Sequence, residues 1–167
     1  SSFSLDTSLL SKELGKVTIL NPAPAKKIDE ELLKYTDIII PNETEAELLT
    51  GIKVNDLESA KLAANGLLEK GVKFVIVTLG SKGAAVISKE CRQIVKAYKV
   101  KAIDTTAAGD SFIGGLSSKL DIENLSFENL LKAVKFANKV SSITVQRKGA
   151  QPSIARLEEV IEIYGEV

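Results

Sequence analysis

The sequence has no histidine, no methionine and no tryptophan, and it has one cysteine, Cys91, among 167 residues. Without histidine, the chain cannot form a Ser-His-Asp or Cys-His nucleophile system or a histidine metal site. One cysteine cannot form an internal disulfide, and alone it cannot build a zinc or iron–sulfur site. These absences exclude large classes of hydrolase and metalloprotein, and the single cysteine fits a cytoplasmic protein.

The chain also lacks an excess of charge of either sign, because Lys plus Arg and Asp plus Glu each number 22. A balanced chain lacks the basic footprint that nucleic-acid and membrane-surface proteins carry, so we expect neither partner. No apolar run reaches membrane-spanning length. The sequence lacks the P-loop pattern Gly-x-x-x-x-Gly-Lys-Ser/Thr, which excludes an ordinary P-loop NTPase. It also lacks the dinucleotide-binding pattern Gly-x-Gly-x-x-Gly.

Hydrophobic residues make up 44% of the chain, enough for a core, and the length predicts one domain over residues 1–167. Short apolar runs predict strands at 17–21, 37–40, 74–78, 84–88, 93–97 and 100–102. Helical spacing predicts helices at 28–34, 43–50, 57–69, 109–120, 130–145 and 157–164. Strands that alternate with helices predict an α/β fold with a largely parallel sheet, followed by an antiparallel meander before residue 104.

The most informative stretch is residues 104–112, Asp-Thr-Thr-Ala-Ala-Gly-Asp-Ser-Phe. Its tiny residues let a backbone approach a ligand closely, and the helix that begins there points free N–H groups outward, which favours an anion. A carboxylate beside an anion site can accept the proton of an incoming hydroxyl, so the pattern indicates phosphoryl transfer to an alcohol. The alternative is a plain helix cap at Gly109-Asp110, although a cap needs neither Asp104 nor the Ala-Ala-Gly approach.

Residues 104–112 resemble the C-terminal signature of the ribokinase-like carbohydrate kinases, the phosphofructokinase-B type. Four more segments agree with that family and occur in its order: residues 21–25 (Asn-Pro-Ala-Pro-Ala), 41–47 (Pro-Asn-Glu-Thr-Glu-Ala-Glu), 78–83 (Thr-Leu-Gly-Ser-Lys-Gly) and 147–153 (Arg-Lys-Gly-Ala-Gln-Pro-Ser). The resemblance implies a ribokinase-like three-layer α/β/α sandwich with a largely parallel central sheet. It covers nearly all of the chain but only about the C-terminal half of the family's length.

In this family the residue that matches Asp110 acts as the base toward the sugar hydroxyl, so the resemblance implies that role here. It also implies that the backbone N–H groups of Ala107, Ala108 and Gly109 face the developing negative charge. This is the principle of an oxyanion hole, in which one donor is worth roughly 3 kcal/mol. The resemblance therefore makes Asp110 the candidate catalytic residue.

Asn42 and Glu45 form an Asn-x-x-Glu pattern at a predicted helix start. The residues alone read as a capping box, in which each side chain bonds the other residue's backbone N–H. In the family, the matching pair helps to organise magnesium and the phosphates, largely through water. Both roles can coexist at a helix N-terminus.

Residues 78–83 follow a predicted buried strand, where ligands bind in open α/β folds. The resemblance implies that this segment lies along ATP, through Thr78, Leu79, Gly80, Ser81, Lys82 and Gly83. A plain turn is the alternative for the segment, and a surface charge is the alternative for Lys82. Asn138 matches a position that lines the adenine pocket, and its alternative is an ordinary exposed helix residue.

The resemblance also implies a site for K⁺ or another monovalent cation beside the anion hole. The matching positions are Asp104, Thr106, Thr144, Arg147, Gly149 and Ser153. Carbonyl oxygens and a carboxylate suit such a hard ion. For Arg147 and Lys148, the alternative is a basic helix C-terminus stabilised by the helix dipole.

The resemblance implies ATP-dependent phosphorylation of a sugar hydroxyl, with D-ribose giving ribose 5-phosphate as the favoured reaction. Most of the family's sugar-binding residues and its lid lie in the N-terminal half, and the chain opens with Ser1 and lacks Met. We therefore expect a truncated chain that keeps the nucleotide site but is weakly active or inactive alone. The missing half or a self-association partner is expected to cover an open sheet edge.

Two groups of alternatives remain open at this stage. Within the same fold, the substrate could be fructose, a keto-deoxy sugar acid or a nucleoside. From another class, the chain could be a non-catalytic nucleotide-binding module, or could need a separately expressed N-terminal partner.

Overall fold

The computed structural model of the chain describes residues 10–14, 17–22, 28–147 and 162–164. Six strands lie within these ranges: β1 (Leu10–Leu14), β2 (Val17–Asn21), β3 (Ile38–Ile39), β4 (Phe74–Thr78), β5 (Ala84–Ile87) and β6 (Arg92–Val95). The same ranges contain the helices α1 (Glu30–Lys34), α2 (Glu43–Thr50), α3 (Leu57–Glu69), α4 (Ala108–Lys119) and α5 (Phe127–Thr144). A short 3-10 helix, Gly80–Lys82, follows β4.

The strands form one sheet in the order β1-β2-β3-β4-β5-β6. The centre is parallel: Ile19 of β2 pairs with Ile38 of β3, which in turn pairs with Phe74 of β4. The pairs β1-β2 and β4-β5 are antiparallel. A parallel pair needs a crossover, and helices α1 and α2–α3 lie between the parallel strands in the chain. The predicted parallel arrangement is therefore found in the centre, with antiparallel strands outside it.

The described chain forms two compact units. The sheet, except for Val95 at the end of β6, lies in the first unit, which includes Ala84–Ile94 and the described residues up to Gly80. One core of this unit joins β-strand residues such as Leu20, Val75 and Ile87 with residues of α1, α2 and α3. Alternate strand residues such as Ile19 and Ile76 are equally buried, so neither face of the central strands is open to solvent. This two-sided burial explains the continuous apolar runs in the sequence.

The second unit contains Ser81–Gly83 and the described residues from Val95 onward, with helices α4 and α5 packed on each other. Gly115 of α4 sits against α5: a Cβ added there would lie 3.1 Å from the Cβ of Val140 and 3.2 Å from the Cα of Ala137. The two helices approach closely because Gly115 has no side chain. This contact helps to position the N-terminal end of α4.

The structure departs from the predicted elements at one strand and leaves part of the last predicted helix outside the described residues. The predicted strand at 100–102 is wrong: these residues are partly or fully exposed and belong to no strand. Residues 157–161 of the predicted last helix lie outside the described residues, and 162–164 are helical. The single domain over residues 1–167 stays a prediction.

No helix in the described part of the chain is both long enough and apolar enough to cross a membrane.

Candidate functional site

Helix α4 begins without a side-chain cap, because Ala107 occupies the N-cap position. The N–H of Ala108 donates to the carbonyl of Thr105 at 3.1 Å, and the N–H of Ser111 donates to that of Ala107 at 2.9 Å. The amides of Gly109 and Asp110 find no acceptor among the residues that the structure describes. The first turn of α4 therefore presents two free N–H groups at the positive end of a helix, which suits an anion.

Asp110 lies in this first turn and is exposed. Gly109, beside it, is also exposed, and a Cβ added there would meet no atom within 4 Å. Described residues thus leave the space above Gly109 open. The structure brings together the predicted base and the predicted amide of Gly109. Of the other two predicted amides, that of Ala107 finds no acceptor among the described residues, and that of Ala108 is used within the turn.

The loop before α4 is braced by its own acidic residue. Oδ1 of Asp104 accepts hydrogen bonds from the N–H of Thr106 at 2.9 Å and from its hydroxyl at 2.5 Å. The N–H groups of Ile103 and Asp104 both donate to the carbonyl of Val145, at 2.6 and 3.0 Å. The C-terminal end of α5 therefore holds the loop that leads into α4, a contact that no local pattern in the sequence indicates.

Thr144, at the end of α5, is fully buried. Its hydroxyl has no hydrogen-bond partner among the described residues, and its carbonyl accepts from the N–H of Arg147 at 3.0 Å. A buried hydroxyl without a partner is unusual and needs an explanation. Asp104, Thr106, Thr144 and Arg147 are described, whereas Gly149 and Ser153 lie outside the described residues.

Two serines that the sequence analysis did not single out hold the start of α4. The carbonyl of Ala108 accepts hydrogen bonds from the hydroxyls of Ser111 at 3.0 Å and Ser141 at 3.3 Å. Ser141 belongs to α5, so this bond ties the two helices together beside Asp110. Ser111 follows Asp110 directly within residues 104–112, whereas nothing in the sequence links Ser141 to Ala108.

The capping box predicted at Asn42 and Glu45 is present at the start of α2. Glu45 is only 9% exposed, and this burial raises the pKa of its carboxyl, while the hydrogen bond from the backbone of Asn42 acts in the opposite direction. Asn42 itself is exposed. The pair places two polar side chains at a helix N-terminus.

Asn42 also lies beside Thr78, the last residue of β4, in an isolated parallel bridge. The N–H of Thr78 donates to the carbonyl of Pro41 at 3.0 Å. Two predicted site segments therefore meet where β3 and β4 end, the edge at which parallel sheets bind ligands. Leu79 is buried beyond this point, and Gly80 turns the chain with φ of 60°, a conformation that favours glycine.

In the second unit, Ser81 and Lys82 are exposed and Gly83 is buried. Asn138 is only 6% exposed, so the alternative of an ordinary exposed helix residue is wrong. Its Nδ2 donates to the carbonyls of Val95 at 3.1 Å and Lys96 at 3.2 Å. Asn138 thus binds backbone of its own unit.

Comparison with known proteins shows where this chain has relatives. A model of the pfkB family carbohydrate kinases matches residues 8–156. A ribokinase from Staphylococcus aureus (strain COL) is 54% identical over 154 residues, which cover 92% of this chain and 50% of the relative.

Solved structures give the same picture and confirm the ribokinase-like α/β fold. The crystal structure of a ribokinase from Thermotoga maritima superposes with a TM-score of 0.78 at 39% identity, covering 92% of this chain and 50% of that one. Arabidopsis thaliana ribokinase complexed with ribose and ATP superposes with a TM-score of 0.78 at 34% identity, covering 87% and 46%. The chain spans about half the length of the relatives it matches.

Proposed function

The chain belongs to the pfkB family of carbohydrate kinases, and we propose on that basis that the protein carrying it transfers the γ-phosphoryl group of ATP to a sugar hydroxyl. D-ribose is the proposed substrate and ribose 5-phosphate the product, because the Staphylococcus aureus relative is a ribokinase and the Arabidopsis ribokinase was solved with ribose and ATP. The observation that carries the proposal is the exposed carboxylate of Asp110 beside the two free amides that begin α4.

Asp110 is the proposed general base. As the sugar oxygen forms its bond to the γ-phosphorus and the bond to ADP breaks, the carboxylate takes the proton of the attacking hydroxyl. The amides of Gly109 and Asp110 donate to the charge that develops on the transferring group, which is worth roughly 3 kcal/mol per well-placed donor. The amide of Ala107, which also finds no acceptor among the described residues, is proposed to donate there as well. Ala107 and Ala108 also keep the approach free of bulk, since neither has a side chain beyond Cβ.

The nucleotide is proposed to contact Asn42 and the segment from Thr78 to Gly83, and Asn138 is proposed to belong to the adenine side of this site. The bridge between Asn42 and Thr78 supports the first part, because it places the exposed Asn42 beside the partly buried Thr78 at the end of two parallel strands. Gly80 adds a stretch of backbone without a side chain, where a Cβ would meet nothing within 4 Å. Such open backbone suits a ligand that approaches closely.

Among the described residues, Asn42 and Glu45 suit magnesium as an ion held through water. Oδ1 of Asn42 and Oε1 of Glu45 already accept backbone hydrogen bonds at 2.7 and 2.8 Å. No group of three acidic, histidine or cysteine side chains that could hold a metal occurs in the described ranges. Mg²⁺ keeps several of its waters in kinase sites, and when bound it neutralises charge on the phosphates. Asn42 and Glu45 would hold those waters.

A monovalent cation fits the loop before α4 and the end of α5 in part. Asp104 supplies a carboxylate, and the resemblance implies that Thr144 acts through its backbone. Thr144 also has a buried hydroxyl that has no partner among the described residues. Oxygen donors of this kind suit K⁺. Such an ion would add positive charge near the start of α4. Its proposed holders among the described residues are Asp104, Thr106, Thr144 and Arg147, and Gly149 and Ser153 stay predicted holders outside them.

A partner strand is proposed at β1, which is the last strand of the described sheet on its side. An unpaired strand edge is a site for association, either with the rest of a longer chain or with a second copy. A cytoplasmic location is proposed as well, since the reaction needs ATP.

The test is sugar-dependent formation of ADP by the purified protein that contains this chain, with the product identified by mass spectrometry. D-ribose should give the highest kcat/KM in a panel with fructose, a keto-deoxy sugar acid and a nucleoside. Higher kcat/KM for another member would replace ribose as substrate. ATP binding by calorimetry without turnover on any sugar would support a non-catalytic module, and absence of ATP binding would refute the proposed site.

A further inference from the structure

One backbone segment of the second unit, Val95–Ala97, is contacted by two of the predicted nucleotide-site residues. Asn138 donates both hydrogens of its side-chain amide to this segment, one to the carbonyl of Val95 and one to that of Lys96. Gly83 faces the same three residues: a Cβ added there would collide with the Val95 carbonyl oxygen and would lie 2.7 Å from the N of Ala97. Residues far apart in sequence thus meet on one short piece of backbone.

The orientation of the Asn138 amide follows from these bonds. A carboxamide has two donor hydrogens and one acceptor oxygen, and carbonyls can only accept. With two carbonyls in front of it, Nδ2 must face Val95 and Lys96, and the reversed rotamer would put oxygen against oxygen. Because the side chain is 6% exposed, water cannot readily replace these bonds.

Gly83 shows why the exact place of this segment matters. Its φ of 106° and the backbone pressed against its Cα leave room for no other residue. Gly83 follows Ser81 and Lys82, the exposed part of the proposed nucleotide segment. A shift of Val95–Ala97 would therefore be transmitted to the backbone of Ser81–Gly83.

We propose that Asn138 is a positioning residue for the nucleotide: it holds Val95–Ala97 against Gly83 and so sets the conformation of Ser81–Gly83. The link of this role to ATP rests on the proposed function. The hold of Asn138 on Val95–Ala97 does not depend on it. This role differs from a direct contact with the adenine of ATP, because Asn138 acts on the nucleotide site through the backbone that it binds.

Asn138→Asp tests the proposal, since it keeps the shape of the side chain and replaces the donor with a carboxylate oxygen facing two carbonyls. We expect the KM for ATP to rise about tenfold, with kcat changed by less than about threefold, because Asp110 and its amides are not touched. Protonation restores one donor, so the ratio of mutant to wild-type KM should fall as the pH is lowered toward the carboxyl pKa. Asn129→Asp is the control: it lies on the same helix, and its Nδ2 donates to the carbonyl of Asn124.

Hydrogen exchange provides a readout that does not depend on turnover. In Asn138→Asp, amides of residues 95–99 should exchange faster, while those of the second half of α4 should not change. If that variant fails to fold, Asn138→Ala provides the same comparison without a buried charge. Unchanged exchange over 95–99 in the folded variant would overturn the proposal even if ATP binding weakened, because that result indicates direct contact.

A double-mutant cycle measured by ATP calorimetry distinguishes action through Val95–Ala97 from direct contact of Asn138 with ATP. It does not require turnover. Gly83→Ala forces the same segment away, so its effect and that of Asn138→Asp on ATP affinity should be strongly non-additive. Additive effects would contradict a shared route through Val95–Ala97. If the protein shows no kinase activity but Asn138→Asp shows the predicted faster exchange over residues 95–99, the result would count against the proposed function alone.

Discussion

Asn42 and Glu45 bind each other's backbone at the start of α2: Oδ1 of Asn42 accepts from the N–H of Glu45 at 2.7 Å, and Oε1 of Glu45 accepts from the N–H of Asn42 at 2.8 Å. This reciprocal cap satisfies two helix-end donors and is worth about 1 kcal/mol for the Asn42 side chain. It also buries the carboxyl of Glu45, which raises its pKa above the usual 4.5. The pair therefore stabilises the helix, while burial makes ionisation of the Glu45 carboxyl less favourable in the folded protein.

Glu45→Gln should make the protein more stable at neutral pH. Glutamine keeps the acceptor oxygen for Asn42 but does not ionise. In the wild type, the folded state holds its proton more tightly than the unfolded state, so stability falls as the pH rises from 4.5 through the raised folded-state pKa. In urea unfolding from pH 4 to pH 7, the free energies of unfolding of the two proteins should converge at acidic pH and differ increasingly as the pH rises.

Glu47→Gln is the control, because Glu47 lies on the same helix and is exposed. Its unfolding curve should follow that of the wild type at every pH. A constant difference between Glu45→Gln and wild type across the range would show that burial of the Glu45 charge is not the cause.

Gly109→Ala should impair catalysis without harming the fold. An alanine Cβ at this position meets no atom of the described residues within 4 Å, so stability should stay the same or rise by up to about 1 kcal/mol from better helix propensity. If phosphate occupies the open space, the added methyl group displaces it, and kcat/KM for ATP should fall about 10²-fold. Steady-state kinetics and thermal unfolding measure the two quantities separately.

Gly114→Ala is the matched control, since Gly114 belongs to the same helix and its added Cβ would also meet open space. It should keep wild-type kinetics. Equal activity of both alanine variants would argue that no ligand group lies against Gly109.

Gly115→Ala should destabilise the protein, in contrast to its neighbour Gly114→Ala. Its Cβ would lie 3.1 Å from both Cβ and Cγ2 of Val140, closer than ordinary contact. Overpacking of this kind costs about 1–3 kcal/mol, which exceeds the gain in helix propensity. Chemical denaturation of both variants tests this, and a Gly115→Ala protein as stable as Gly114→Ala would show that α4 and α5 pack less closely there.

Local signals in the sequence predicted most of the elements. The apolar run Phe74–Thr78 is β4 with the predicted bounds, and the cap at Asn42 with the stop at Gly51 delimits α2 as predicted. These succeed because burial on both faces and end-capping leave a pattern within a few residues. α5 starts at Phe127 rather than Leu130, since Ser126 caps it by accepting from the N–H of Asn129.

Contacts between distant segments could not be predicted in the same way. The bridge of Asn42 to Thr78 and the bonds of Asn138 to Val95 and Lys96 join residues that no local pattern relates. Val100 and Ala102 flank Lys101 in a strand-like alternation, yet no strand of the sheet extends to them. Strand formation there required a neighbour, which a single sequence does not reveal.

The catalytic role of Asp110 is the central claim, and steady-state kinetics of Asp110→Asn in the protein that contains this chain tests it most directly. Glu128→Gln is the control, because Glu128 is also an exposed acidic residue in the first turn of a helix. Asparagine keeps the size of Asp110 but cannot accept the hydroxyl proton, so kcat with ribose and ATP should fall by about 10²–10⁴-fold with the KM for ATP little changed. A kcat within about threefold of wild type, equal to that of Glu128→Gln, would contradict the account.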